Sequence, residues 1–357
     1  MSTSGRQRVA APPAARPGGA PRSTTSRAAV VVGLLLLLAL AALASLMWGA
    51  RDVAAGDVWR ALVSPVDGDN DHFVVRHERV PRTLIALVGG AALGASGALM
   101  QGITRNPIAD PGLLGINSGA SLGVISAITW LGVGTVQGYL WFAFLGAAVT
   151  AVVVYGAASL GWEGVTPVKL ALVGAAFTAT ATSLITVILL ADRNTLDEFR
   201  FWQVGSLSNR TYTFFEATMP FVAPFVAVGL VLAIASGRTL NALAMGDDVA
   251  RSLGQDVVRG RLLVVVAVVL LCGSAVALVG PIAFVGLAVP HLARVLVGPD
   301  YRWIIALSIL VGPALLLVAD VIGRVIVPGE LEAGLVVAVI GAPVLLAVVR
   351  RSKEVAA

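Results

Sequence analysis

The sequence is poor in charge and in reactive side chains. Only 13% of its 357 residues are charged, against roughly 25% in soluble domains, and it has three histidines and one cysteine, Cys272. A single cysteine excludes an intrachain disulfide. Hydrophobic residues make up 57% of the chain and the mean hydropathy is +0.90. This composition excludes a soluble globular, coiled-coil or disordered protein, and it predicts a chain dissolved in a lipid bilayer.

The basic residues are nearly all arginine, since Lys169 and Lys353 are the only lysines. A net charge of +5 and a pI near 10.0 could suit a nucleic-acid-binding protein. The arginines, however, stand singly at the ends of apolar runs, which is the pattern of membrane topology signals. We therefore expect no nucleic-acid partner.

Residues 1–27 differ from the rest of the chain. They contain five arginines, no acidic residue and a filling of Pro, Ala, Gly and Ser without periodicity. Such a segment cannot bury enough apolar area to offset its ordering entropy, so we expect a disordered basic tail. A secretory signal is the alternative, but the following apolar run, 28–48, is long enough to span a membrane. The apolar, multi-segment region then covers 28–350, and 351–357 form a second short tail.

Ten apolar segments are long enough, or nearly so, to cross a bilayer, where about 20 residues are needed. They lie at about 28–48, 83–103, 113–131, 137–160, 168–191, 213–236, 262–281, 283–298, 303–323 and 333–349. The eighth is short and contains Pro290, so nine crossings are the alternative. The fold class expected is an all-α integral membrane protein with about ten transmembrane helices.

The distribution of basic residues predicts the orientation. With ten crossings and the basic tail in the cytoplasm, 16 of the 25 Lys and Arg residues lie on the inner side and 9 on the outer side. With nine crossings, the basic C-terminal residues would face outward. The positive-inside rule therefore favours ten crossings with both termini cytoplasmic.

The sequence lacks the residue patterns of an enzyme or a metal site. No Ser/His/Asp or Cys/His set is apparent, and no phosphate-binding loop is present. Asp67, Asp69, Asp71 and Glu78 approach a calcium loop, but His72 occupies the position that requires glycine. We interpret the stretch from Asp67 to Glu78 as an acidic solvated loop. For the chain as a whole, we expect no catalytic residue, no cofactor and no metal ligand. Active transport would then require energy from a partner or from an ion gradient.

Two intramembrane patterns predict packing. Asp320 and Arg324 are four residues apart, acid first, which favours a local ion pair. Gly90 and Gly94 stand at the spacing that lets helix backbones approach closely in a membrane.

The longest inner loop, 237–261, contains apolar residues at helical spacing, divided by Gly246 and Gly254 into two short pieces. Such an amphipathic unit could lie on the membrane surface or dock a soluble partner, and the residues alone favour neither.

Five motifs along residues 50–351 carry a resemblance to a known family. In chain order they are Arg79-Val80-Pro81-Arg82-Thr83 leading into Gly89-Gly90, Arg105-Asn106-Pro107 with Asp110-Pro111-Gly112, Gly280-Pro281 with Pro290-His291, Gly298-Pro299-Asp300-Tyr301-Arg302, and Gly341-Ala342-Pro343. With these motifs the chain resembles the FecCD family of ABC importer permeases, the membrane subunits of iron–siderophore, haem and cobalamin uptake systems. Two positions depart from the family pattern, Glu332 in place of a proline and Ala283 in place of a glycine.

The resemblance implies partners and site residues. The partners are a second permease subunit, two cytoplasmic ABC ATPases, an extracytoplasmic substrate-binding protein and membrane lipid. Residues 240–259 resemble the family's coupling helices, with Gly246, Asp247, Ala250, Arg251, Leu253 and Gly254 matching. Arg79 and Arg324 match arginines that accept acidic residues of the binding protein, a task for which the guanidinium fork is suited. Thr178, Thr180, Thr182 and Ser183 are the candidates for lining the pathway, although their hydroxyls could equally bond their own backbone.

The function expected from the resemblance is the permease of an ATP-driven importer of ferric siderophores in the inner membrane. A cobalamin or haem permease of the same family is the first alternative. An ion-coupled secondary transporter is the second, but it should have ionisable residues or broken helices near the midplane of both halves, and no such pair is apparent.

Overall fold

A computed structural model describes residues 24–160, 165–191, 195–196, 199, 202–327 and 329–356. Their regular structure is helical: α1 (Thr24–Met47), α2 (Ala55–Val63), α3 (Asn70–Val74), α4 (Val80–Thr104), α5 (Ile116–Leu131), α6 (Val136–Ala158), α7 (Pro167–Ala191), α8 (Tyr212–Ala235), α9 (Gly237–Ala244), α10 (Asp247–Ser252), α11 (Val257–Val279), α12 (Val285–Val297), α13 (Tyr301–Ile326) and α14 (Ala333–Ala356). A π-helical turn, Val75–Arg79, joins α3 to α4, and a 3₁₀ turn, Pro111–Leu114, precedes α5.

The apolar helices follow the predicted segments in number and order. Among the described residues, seven helices are long and apolar enough to cross a membrane, and three shorter ones are apolar. Each of the ten begins and ends within a few residues of its predicted segment, apart from α14, which continues toward the C-terminus. The fold is thus the predicted all-helical membrane protein. Of the predicted basic tail, only the last four residues lie within the described part, where they begin α1.

Three helices form the centre of the bundle. In the most apolar stretch of each, 83% of the residues are buried in α4, 72% in α11 and 67% in α13, against 11% in α1 and 17% in α7. The central position of α4 follows from its glycines and alanines, which leave little side-chain volume between backbones. The outer helices instead carry long leucine and valine side chains on exposed faces, as lipid contact requires.

Close backbone contacts hold α4 in this position. A Cβ atom added to Gly90 would lie 2.6 Å from Cα of Pro313 in α13. Gly94 faces the carbonyl of Ser308, which also lies in α13, and Gly97 faces Gly286 in α12. The predicted glycine spacing therefore marks a real contact between helix backbones.

The two ends of the bundle carry different short helices. At one end, here called the α2–α3 end, lie the C-termini of α1 and α13 and the N-terminus of α4. At the other, the α9–α10 end, lie the C-termini of α4 and α12 and the N-termini of α11 and α13. Candidate functional residues occur at both ends and on the exposed face of α7.

Candidate functional site

Two glycines shape the short helices of the α9–α10 end. Gly246, with φ +116°, separates α9 from α10, and Gly254, with φ +77°, ends the turn after α10. Side-chain-bearing residues rarely adopt these backbone angles, and open space surrounds both positions. The glycines are thus required for their conformation rather than for close packing. They produce the two short helical pieces that the sequence predicted.

The predicted coupling residues divide between two faces of α10. Ala250 is fully buried against the bundle. Leu253 is 58% exposed, and Arg251 lies on the surface, where it pairs with Asp248 at 3.0 Å. Met245 and Val249, which are near Leu253 in the sequence, are also exposed. Helical spacing alone does not distinguish the exposed Met245 and Val249 from the buried Ala250, because the turn at Gly246 determines which side of α10 faces the bundle.

Asp247 is the charged contact between α10 and the rest of the bundle. Its carboxylate accepts hydrogen bonds from Arg105, at the C-terminus of α4, and from Arg261 in α11, the latter at 2.9 Å. Arg261 also donates to the backbone carbonyl of Val165 at 2.7 Å. Asp247 therefore anchors α10, while Arg251 and Leu253 remain available on the surface.

A second polar contact connects α9 to α13. Asn241 donates to Asp300 at 2.7 Å and accepts from the backbone N–H of Tyr301 at 2.8 Å. Asp300 caps α13 and pairs with Arg302 at 2.9 Å. The hydrogen bonds from the Arg302 and Asn241 side chains lower the pKa of Asp300 to about 2, so this carboxylate is charged at neutral pH.

The α2–α3 end contains a buried cluster of charges. Asp320 accepts from Arg82 at 2.7 Å and from Arg324 at 2.9 Å, which confirms the predicted pair of Asp320 and Arg324. Arg82 also pairs with Glu330 at 3.0 Å. Sequence reasoning missed Arg82 as a partner because 238 residues separate it from Asp320 and no local spacing indicates the contact.

Arg79 and Arg324, the predicted docking arginines, converge on the C-terminus of α1. Arg79 donates to the carbonyls of Leu46 and Met47, both at 2.7 Å, and Arg324 donates to the carbonyl of Ser45 at 3.1 Å. Each arginine is about 5% exposed. The last carbonyls of a helix lack partners within that helix, so the two guanidinium groups cap α1.

The two arginines also line a cleft of about 180 Å³ that opens at this end. Its charged lining residues are Arg51, Glu78, Arg79, Arg82, Arg324 and Glu330. Nearby, Asp69 caps α3 by accepting from the backbone N–H groups of His72 and Asp71, and these bonds lower its pKa. Asp69 therefore has the structural role of a helix cap. In the described part of the chain, no group of three or more His, Cys, Asp or Glu residues could hold a metal ion.

The predicted pathway residues lie on α7. Thr180, Thr182 and Ser183 are exposed, and Thr178 is half-buried. The hydroxyls of Thr180 and Ser183 donate to the backbone carbonyls four residues earlier, each at 2.9 Å. Such bonds satisfy the hydroxyl donor while leaving the oxygen free to accept, so the face can contact lipid, water or another helix.

Comparison with known proteins assigns the family. Residues 36–351 match the model of the FecCD transport family. Over 312 residues the chain is 46% identical to the ferric enterobactin transport system permease FepD of Escherichia coli, covering 87% of this chain and 92% of that protein. It is 41% identical over 315 residues to the probable siderophore transport system permease YfiZ of Bacillus subtilis, covering 88% and 93%.

A solved structure agrees with this assignment. An inward-facing conformation of a putative metal-chelate type ABC transporter superposes with a TM-score of 0.78 at 27% identity, covering 91% of this chain and 99% of that chain. Both the sequence match and the fold extend over nearly the whole apolar region. The chain therefore belongs to the FecCD transport family, as a multi-pass membrane permease and a non-catalytic transport component.

Proposed function

We propose that this chain is the permease subunit of an ATP-driven importer that carries a ferric siderophore across the membrane. The observation that carries the proposal is the surface of the α9–α10 end, where Met245, Val249 and Leu253 expose apolar side chains in a polar loop. An ATP-driven permease whose sequence has no phosphate-binding loop requires a partner that hydrolyses ATP, and an exposed apolar surface suits the docking of that partner.

The orientation follows from the same assignment. The α9–α10 end faces the cytoplasm and carries the ATPase, so both termini are cytoplasmic and the α2–α3 end faces outward. The excess of basic residues on the inner side supports this orientation. ATP binding and hydrolysis in the partner would move α10 and open the pathway alternately toward each side.

A substrate-binding protein docks at the α2–α3 end in this proposal. The cleft lined by Arg79 and Arg324 supports the position, since a carboxylate of the partner could pair with either guanidinium group. Both arginines bond α1 carbonyls, and the Nε of Arg324 has no hydrogen-bond partner among the described residues, so that it could donate to an added carboxylate. Glu330 and Glu332, on the segment that departs from the family pattern, add acidic groups to the same surface.

A second permease subunit completes the pathway. We place α7 at the centre of such a dimer, because Thr180, Thr182 and Ser183 give its exposed face hydroxyl oxygens. The exposed face of α1, by contrast, consists mainly of leucine side chains. Small and hydroxyl-bearing residues let neighbouring helices approach and leave room for water.

Two FecCD relatives with different named substrates bear on the cargo. The Escherichia coli permease FepD, at 46% identity, is named for the transport of ferric enterobactin. The hemin transport permease HmuU of Yersinia pestis is 34% identical to this chain over 321 residues. The higher identity favours a ferric siderophore. Uptake of labelled ferric enterobactin, hemin and cobalamin would decide between these substrates. It would be measured in a strain from which this permease is deleted and in the same strain with the chain restored.

The ATPase assignment is tested by co-purification. Leu253→Ser should reduce the amount of ATPase subunit bound to the purified permease by about tenfold, since loss of an anchor residue at an interface centre costs about 1.4 kcal/mol or more. Val63→Ser is the control, because Val63 is 62% exposed but lies in α2, at the opposite end of the bundle. Equal retention of the ATPase by both variants would contradict the docking surface. ATP-independent uptake driven by a proton or sodium gradient would instead support a secondary transporter.

A further inference from the structure

Asp247 and Asp248 are neighbours with different surroundings. The Asp247 side chain is 26% exposed and contacts Arg105 and Arg261. The Asp248 side chain is 99% exposed, and its ion pair among the described residues is with Arg251 of the same short helix. One carboxylate therefore links α10 to other helices, while the adjacent one belongs to the short helix alone.

The two partners of Asp247 belong to two central helices. Arg105 follows the last residue of α4 and has a left-handed backbone, with φ +51° and its N–H bonded to the carbonyl of Gly102. Arg261 is in the second turn of α11, and its side chain is 10% exposed. Because both guanidinium groups meet a single carboxylate, α4 and α11 are fastened to α10 at one point.

The far end of α4 is also fastened by charge. Arg82, in its first turn, pairs with Asp320 in α13 and with Glu330. α4 has 25 residues, which at 1.5 Å per residue gives a length of about 37 Å. A continuous, tightly packed helix of this kind transmits displacement along its axis, since packed interiors resist deformation.

We propose that Asp247 is the positioning residue through which movement of α10 reaches α4 and α11. This inference rests on the proposed docking of an ATPase at α10 and specifies how that movement enters the bundle. Charge-assisted hydrogen bonds from two guanidinium groups hold the carboxylate more firmly than neutral bonds would. When the ATPase displaces α10, Asp247 draws the two central helices with it. Without this carboxylate, α10 loses its charged link to both helices, and less of its movement reaches them.

The experiment measures substrate imported per ATP hydrolysed by the complete transporter in proteoliposomes. The substrate is whichever of ferric enterobactin, hemin or cobalamin the unmodified transporter imports fastest. Asp247→Asn should retain the ATPase subunit and hydrolyse ATP within about twofold of the unmodified rate, but import per ATP should fall about tenfold. Asp248→Asn, the matched control, should leave this ratio unchanged, and Asp247→Glu should restore part of it. A purely structural role would lower import and hydrolysis together.

A second variant tests the contact itself. Arg105→Gln should lower import per ATP less than Asp247→Asn does, since Arg261 keeps its bond to the carboxylate, and the double variant should be no worse than Asp247→Asn alone, because Asp247→Asn already removes the contact with Arg105. If the losses of import per ATP in the two single variants multiply in the double variant, the inference is overturned. An unchanged import per ATP in Asp247→Asn would overturn it as well. Loss of the ATPase subunit from Asp247→Asn would also overturn it, since Asp247 would then belong to the docking surface. If the unmodified transporter shows no ATP-dependent import, the proposed function fails instead.

Discussion

At the scale of single residues, two carboxylates of this chain are each held between two arginines. Asp320 lies between Arg82 and Arg324, and Asp247 lies between Arg105 and Arg261. An unpaired charge inside a membrane protein is costly, so a carboxylate between two arginines satisfies its own charge and positions two helices. The local spacing of Asp320 and Arg324 predicted one of these contacts. No local pattern predicts the contacts that join residues far apart in the sequence.

Arg82→Gln should destabilise the protein strongly. The substitution leaves Glu330 without its guanidinium partner and Asp320 with one arginine, and breaking a buried pair costs roughly 3–5 kcal/mol. The thermal unfolding midpoint in detergent measures the loss. Arg51→Gln removes the pair with Asp71, in which the arginine side chain is 63% exposed, and should cost about 0.5 kcal/mol or less. Similar shifts for both variants would contradict a structural role for the buried cluster.

Asp300 should make the junction of α9 and α13 sensitive to acid. Its pKa in the folded protein, about 2, is lower than that of an unfolded aspartate, near 3.9. The stabilisation is therefore fully present above about pH 4 and is lost as the pH falls toward 2. Asp300→Ala should lower the stability at pH 7 by roughly 1–2 kcal/mol, because it removes a helix cap.

The same unfolding measurement, repeated across pH, separates the charge from the cap. Asp300→Asn keeps an acceptor for the N–H of Arg302 but has no charge. Its midpoint should lie below that of the unmodified protein at pH 7 and approach it near pH 2. A gap between the two that stays constant from pH 7 to pH 2 would show that the charge of Asp300 contributes nothing.

At the scale of helices, residue size decides which elements are central. α4 is lined with glycine and alanine and approaches the backbones of α12 and α13, whereas α1 is rich in leucine and remains at the periphery. The positions of the apolar helices followed directly from hydropathy, since a bilayer requires long apolar runs. Hydropathy did not predict which helices pack against each other, because it is similar for the helices at the centre of the bundle and for those that face lipid.

Gly90→Ala should separate α4 from α13. The added Cβ would lie 2.6 Å from backbone atoms of Pro313, and backbone cannot move aside as a side chain can. We expect an overpacking cost of about 1–3 kcal/mol, measured as a lower unfolding midpoint. Gly33→Ala in α1 is the control, because its Cβ meets nothing within 4 Å, and there alanine should be neutral or stabilising. Equal effects would contradict the close contact of the two helices.

At the scale of the whole molecule, the distribution of charge predicts a single orientation in the membrane. Asp67 and Asp248, both exposed, lie at opposite ends of the bundle. In a Cys272→Ser background, cysteine at position 67 should react with a membrane-impermeant maleimide in intact spheroplasts. Cysteine at position 248 should react only in inside-out vesicles. The reverse pattern would overturn the proposed orientation and with it the cytoplasmic docking of the ATPase.

The amino-acid sequence by itself determined that this chain is a helical membrane protein, where its apolar helices lie and which family it resembles. Hydropathy and short motifs are local, so they can be read from consecutive residues. Only the tertiary structure decided that Asp247 faces the bundle while Asp248 faces outward, and that Arg79 and Arg324 cap α1. These roles depend on contacts between residues far apart in the chain, which packing alone brings together.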